Sequence, residues 1–266
     1  MKHFHDQTGK VISIPSPPAR IISLVPSQTE LLYTLGLDDE VIGITKFCVH
    51  PNHWFRSKQK VGGTKQLKID LIKTLQPDLV IANKEENVKE QVEAIEQFCP
   101  IWVSDVQNMQ DAYEMMLGIG EITGKKREAE ALVQKITTAF QCRSFQPVKR
   151  AAYFIWQKPY MVAGGDTFIH QMMQQSGFEN VFAGRERYPE VSIDEVKHTG
   201  CELVLLSSEP FPFQQKHAGE LQQQLPGVSV MLVDGEMFSW YGSRMLDALA
   251  YFAKIRETLF LAHEPD

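Results

Sequence analysis

Residues 69–87, IDLIKTLQPDLVIANKEEN, align without a gap on residues 193–211, IDEVKHTGCELVLLSSEPF. Ile69/Ile193, Asp70/Asp194, Lys73/Lys197, Leu79/Leu203, Val80/Val204 and Glu85/Glu209 are identical, and Asp78 is matched by Glu202. Each copy reads as a helix followed by a short, continuously apolar strand. Such a strand needs cover on both faces, so one copy is not a folding unit by itself. The repeat therefore predicts two related halves, each built around its own sheet.

The rest of the chain fits that plan. RIISLV is followed by SQTELLYTLG, EVIGIT stands alone, and ENVKEQVEAIEQF leads to IWVSD. Buried parallel strands crossed over by helices have this text. Ser27 and Glu30 have capping-box spacing, and Gly36 is placed to end the helix they start. Residues 111–140 are helical in pattern and free of proline; Gly118, Gly120 and Gly124 predict one short helix and then a long one. Strand patterns resume in AAYFIW, ENVFAG, ELVLLSS and VSVMLVD, and a terminal helix is expected near SRMLDALAYFAKIRETLF. The expected organisation is an N-terminal α/β lobe (1–109), a linking segment with a long backbone helix (110–146) and a C-terminal α/β lobe (147–266). Two such lobes leave a cleft, and ligands of α/β sheets sit at strand carboxyl ends.

Composition removes several function classes. A net charge of −6 gives no electrostatic reason to expect nucleic acid or an anionic membrane as partner. Cys48, Cys99, Cys142 and Cys201 form no CxxC pair, so free thiols are expected rather than a disulfide framework or a structural zinc site. No apolar run is long enough to span a bilayer, and MKHFHDQTGKVISIP lacks a signal-peptide core. As written, the chain is expected in the cytoplasm, with a periplasmic or cell-surface place if a leader was removed. No P-loop, G-x-S-x-G elbow, H-E-x-x-H or dinucleotide fingerprint occurs, so no enzyme class is indicated.

RIISLVPSQTELLYTLGLDDEVIGIT, then VGG, IDLIKTLQPDLVIA, VSIDEV and GSRMLDALAYFAKI, resembles the helical-backbone (class III) substrate-binding proteins of ABC importers. The likeness covers nearly the whole chain and is strongest to the vitamin B12-binding members with their Fe/B12 periplasmic-binding domain. It implies two α/β lobes bridged by a long helix and no catalysis. The implied ligand is a corrinoid (cobalamin), haem or a ferric siderophore, transported rather than held as a prosthetic group. It also implies an ABC permease partner for a monomeric receptor, docked through an acidic residue on each lobe; the matching positions are Asp70 and Asp194. Helix capping accounts for the same two residues equally well. Thr64 stands where B12-binding members carry a tryptophan that packs on the corrin.

Strand-end logic names the candidate ligand contacts. In the N-lobe they are Ser27, Gln28, Phe47, Cys48, His50, Lys65, Glu85, Glu86, Asn87 and Asp105. In the C-lobe they are Trp156, Tyr160, Arg185, Glu209, Phe211, Trp240, Tyr241 and Arg244. Aromatic faces with a few polar anchors suit a large planar ligand. Cys48 and His50 lie one residue apart, so on an extended segment their side chains share a face roughly 6–7 Å apart. Metal ligation, contact with a bound ligand and plain loop structure all remain open for that pair. Glu85 and Glu209 are equivalent in the repeat, which leaves open two carboxylates facing each other across the cleft, coordinating a cation or pairing with Lys65, Arg185 or Arg244. Two further functions stay open: an intracellular carrier or sensor, and an enzyme on the same scaffold that uses Cys48 and His50.

Overall fold

The computed structural model describes residues 1–14, 17–141 and 149–261; Cys142 and the boundary expected at 146/147 lie outside them. The chain divides into two units, 1–106 with 110–136 and 241–243, and 107–109 with 137–240 and 244–266.

The first unit opens with the antiparallel hairpin β1 (Lys2–His5) and β2 (Val11–Ile14). The Asp6 carboxylate closes its turn by accepting from the N–H groups of Thr8 and Lys10. Then come β3 (Ile21–Ser23), α1 (Pro26–Thr34), β4 (Val41–Ile44), α2 (Asn52–Ser57), β5 (Gln59–Lys60), and the small hairpin β6 (Gly62–Gly63) and β7 (Gln66–Leu67). They are followed by α3 (Ile69–Leu75), β8 (Leu79–Asn83), α4 (Lys89–Glu96) and β9 (Ile101–Ser104). The main sheet has the order β5-β4-β3-β8-β9, parallel throughout. Every residue of β8 is buried, which is why its sequence is apolar without alternation. Ile22, Leu24, Val80, Ala82 and Ile101 of the sheet region pack with Ile72 of α3 and Ile95 of α4.

Two local expectations change here. No capping box forms at Ser27 and Glu30, because α1 begins two residues earlier than that box requires, at Pro26, with Val25 as N-cap. Proline at the first helical position has its φ preset and no N–H to satisfy, so it displaces the start. The other end is as the sequence indicates: Gly36 N–H reaches Tyr33 O at 2.9 Å and Leu37 N–H reaches Leu32 O at 3.1 Å, a Schellman pattern. The pattern over 111–140 becomes α5 (Met109–Ile122) and α6 (Lys126–Gln141), of 14 and 16 residues. Gly118 and Gly120 do not shorten α5, because packing needs them small: added Cβ atoms would stand 2.9 Å from the Trp102 ring and 2.3 Å from Ala129 Cβ.

The second unit contains β10 (Lys149–Trp156), β11 (Met161–Val162), α7 (Phe168–Gln175), β12 (Phe178–Asn180), α8 (Ile193–His198) and β13 (Leu203–Ser207). It ends with α9 (Gln215–Gln224), β14 (Ser229–Val233), α10 (Glu236–Ser239) and α11 (Met245–Leu261). Its sheet has the order β11-β10-β13-β14, with β12 also on β10; only β11 is antiparallel. ENVFAG is strand only as far as Asn180, whose side-chain oxygen accepts the Phe182 N–H at 3.0 Å and turns the chain.

The two copies of the repeat occupy equivalent places, α3–β8 and α8–β13, each with its strand interior to a parallel sheet. Asp78 accepts from the N–H groups of Ala19 and Arg20, just before β3. Glu202 accepts from Arg150 N–H at the start of β10. The matched acids thus do one job, tying the start of the neighbouring strand. Both units are α/β layers, as the repeat predicts.

Candidate functional site at the strand ends

In the first unit the carboxyl ends of β3, β8 and β9 carry a buried polar network. Asn83 Nδ2 donates to Ser104 Oγ at 3.0 Å, Gln28 Nε2 also donates to Ser104 Oγ, and Asn83 N–H donates to Asn87 Oδ1 at 2.9 Å. Asn83 Oδ1 in turn accepts the N–H groups of Glu85 (2.8 Å) and Glu86 (3.0 Å), holding that loop. Lys65 donates to the Glu85 carbonyl at 2.6 Å, and Lys84 pairs with Asp105 at 2.5 Å. Tyr241, which belongs to this unit, is buried and donates its hydroxyl to Glu86 Oε1 at 3.4 Å. Phe47 stands half exposed beyond β4, with Lys46 Nζ 5.0 Å from its ring centre.

Cys48 is not an open ligand contact at the strand ends. It is fully buried; Thr29 Oγ1 donates to its sulfur at 3.1 Å, and Thr45 Oγ1 lies 3.1 Å from it. Burial pushes the thiol up to about 11, against the pull of those hydroxyls. A thiol so held is a packing element, neither a ready metal ligand nor a nucleophile. His50 lies two residues on and is partly exposed, so the pair does not present a common face. Among the described residues, no group of three His, Cys, Asp or Glu side chains could hold a metal ion.

The second unit has a corresponding frame. Ser207 ends β13 as Asn83 ends β8, and its hydroxyl accepts the Glu209 N–H at 3.2 Å. Tyr153 donates to the same hydroxyl at 3.0 Å. Glu209 Oε1 accepts from Ser239 Oγ (2.5 Å) and Trp240 Nε1 (2.8 Å). Burial raises the Glu209 carboxyl above its ordinary range, with Glu236 and Asp234 adding to it, while Ser239 and Trp240 oppose. Arg244 pairs with Glu236 at 3.1 Å and lies over the Trp240 ring at 5.1 Å. Trp240 is therefore largely buried as a strut of this frame rather than an open aromatic wall. The exposed ring is Trp156, 40% accessible at the end of β10 and packed edge-on against Phe211 at 5.7 Å. Tyr160 packs edge-on against Phe154 at 5.5 Å.

Asp70 and Asp194 are exposed, each in the first turn of its helix, and neither is the N-cap. Ser192 caps α8, in a capping box with Glu195. Asp194 pairs with Lys197 at 2.9 Å, and that partner holds its carboxyl below the usual range. Beside it an open cavity of about 560 Å³ is lined by Val181, Phe182, Arg185, Asp194, Glu195 and His198, among others. Arg185 meets Glu195 there at 2.5 Å, so it belongs to this cavity rather than to the Glu209 frame.

Sequence reasoning missed Asn83, Ser104, Thr29, Tyr153, Ser207 and Ser239. A signal for two of them was present: LVIAN and LVLLSS each close an apolar strand on a small polar residue, at matched positions of the repeat.

Residues 21–229 match the family model described as periplasmic binding protein. The chain is 26% identical over 204 residues to an uncharacterized ABC transporter substrate-binding lipoprotein, YvrC, of Bacillus subtilis, covering 72% of this chain and 64% of that protein. It therefore spans a little under two thirds of that relative. It is 30% identical over 204 residues to the vitamin B12-binding protein of Vibrio campbellii, covering 72% of this chain and 71% of that one. The fold matches a periplasmic heme-binding protein from Pseudomonas aeruginosa with a TM-score of 0.75 at 19% identity, over 90% of this chain and 92% of the other. These findings correct the expected cytoplasmic location. A lipoprotein relative and a periplasmic family point to the periplasm or cell surface.

Proposed function

The chain belongs to the periplasmic binding protein family, and on that premise we propose that it is a non-catalytic receptor for a corrinoid or another metal-containing small molecule, haem or a ferric siderophore, which it delivers to an ABC permease. One observation carries the choice of ligand class. In each unit a large aromatic ring stands open to solvent past the end of a parallel strand, Phe47 after β4 and Trp156 at the end of β10. Rings of this size are usually covered, and strand carboxyl ends are where α/β sheets bind ligands, so a broad apolar ligand face suits them. Lys46 beside Phe47 adds a cationic anchor. The ligand is cargo and not a resident cofactor. The burial of Cys48 and its raised thiol speak against an enzyme that would use it as nucleophile.

Asp70 and Asp194 are the proposed permease contacts. They are exposed, sit at the same place in the two repeats and cap nothing, and paired carboxylates set register and on-rate through charge complementarity. Titration of the apo-protein with cobalamin, haemin and a ferric hydroxamate, followed by absorbance and tryptophan fluorescence, tests the receptor role. At least one binds tighter than about 100 µM, and Trp156→Ala weakens it about tenfold. Failure of all three at that level refutes it.

A further inference from the structure

We propose that the amino end of α1 binds an anionic oxygen group, a carboxylate or a phosphate, together with the Tyr241–Ser243 segment. Among the described residues, four enclosed side-chain N or O atoms have no hydrogen-bond partner, and three of them fall here: Ser27 Oγ, Gln28 Oε1 and Ser243 Oγ. Ser27 and Gln28 are 3% and 0% exposed, in the first turn of the nine-residue α1. The segment lies against that turn, since a Cβ added at Gly242 would stand 3.7 Å from Ser27 O and 3.6 Å from Leu31 Cβ. Folded proteins pair nearly all of their buried polar atoms, so a cluster left unpaired calls for a bound group.

The surroundings specify its charge. The N-cap Val25 has no side-chain acceptor, Pro26 has no N–H, and no acid occupies the first turn. The first main-chain N–H to turn back into the helix is that of Thr29, on Val25 O at 2.9 Å. The N–H groups of Ser27 and Gln28 are left at the positive pole of the helix, where anions bind. The Tyr241 hydroxyl is committed to Glu86, so the two serines supply the side-chain donors. Two N–H groups and two hydroxyls outnumber the single acceptor, Gln28 Oε1, which suits the remaining proton of a monoprotonated phosphate.

This rests on the receptor reading only for which molecule carries the group. The test is titration of the full chain with inorganic phosphate, followed by ³¹P NMR, and with malonate as the carboxylate probe, for wild type, Ser27→Ala, Ser243→Ala and Ser27→Thr. Saturable binding is expected, weakened about tenfold by each alanine and retained by threonine, with unchanged thermal melting. If only one probe competes, it identifies the group. No saturable binding by either anion assigns the unpaired atoms to buried water and overturns the proposal. So does binding that both alanines leave unchanged, even if a corrinoid or haem binds tightly. Anion binding lost in the alanine variants while no large ligand binds supports this site and counts against the receptor reading.

Discussion

The burial of Cys48 makes a quantitative demand on its chemistry. Its thiol is held at about 11 rather than 9.0, chiefly because desolvation penalises the thiolate. Well below pH 9 the thiolate fraction of a group falls tenfold for each pH unit by which its pKa rises, so Cys48 carries about a hundredth of the thiolate of an ordinary cysteine. Enclosure then requires a local opening before any reagent can reach the sulfur. The experiment is iodoacetamide labelling at pH 8 in native buffer and in denaturant, with the modified peptide quantified by mass spectrometry. Cys48 is expected to label at least about a hundredfold more slowly in the native protein than in the denatured chain. Raising the pH from 8 to 9 multiplies the native rate about tenfold, because the thiolate population is still far from saturation. A native rate within a few-fold of the denatured one refutes the placement of this thiol in the core and returns Cys48 to the accessible strand-end contacts. Because the folded value is raised, the stabilisation from keeping this thiol neutral is complete below pH 9 and is lost between about 9 and 11.

Four other outcomes follow from single contacts. Glu209 is raised by burial, so its contribution to stability is full below its ordinary 4.5 and declines as pH climbs through the raised value; Glu209→Gln gains stability relative to wild type as the pH is raised above 4.5, read from urea midpoints. Gly235→Ala places a Cβ 2.4 Å from Ser207 Oγ and 2.6 Å from Glu209 Cγ, and thermal unfolding will show a loss of about 1–3 kcal/mol. Thr29→Val removes a donor to the Cys48 sulfur and one of the partners of Ser23 Oγ, lowering stability by about 1–3 kcal/mol in chemical denaturation. Asp70→Lys and Asp194→Lys lower the melting temperature slightly, because each puts a cation in a helical first turn that favours an acid and Asp194→Lys also loses the pair with Lys197, and each slows association with a reconstituted permease at low salt.

Much of the scaffold was legible because it depends on local pattern. Apolar runs in two equivalent segments determined that there are two parallel α/β sheets, and the matched Asp78 and Glu202 do the same work in each. The helix start at Pro26 was misplaced, since a capping motif and a proline compete for one terminus and proline wins by presetting φ. The long helical text was apportioned wrongly because glycine was weighed for its cost in an isolated helix, whereas Gly118 and Gly120 are required by the surfaces they touch. For the site, residue type told little. Phe47 and Trp156 are open, Trp240 and Cys48 are enclosed, and nothing in their immediate sequence separates the two cases. Periodicity and repeat report which face of an element a residue occupies, a property of the chain itself. Whether that face is then covered depends on segments far away in sequence, such as Thr29 over Cys48 and Glu209 beneath Trp240, and only the tertiary structure brings them together.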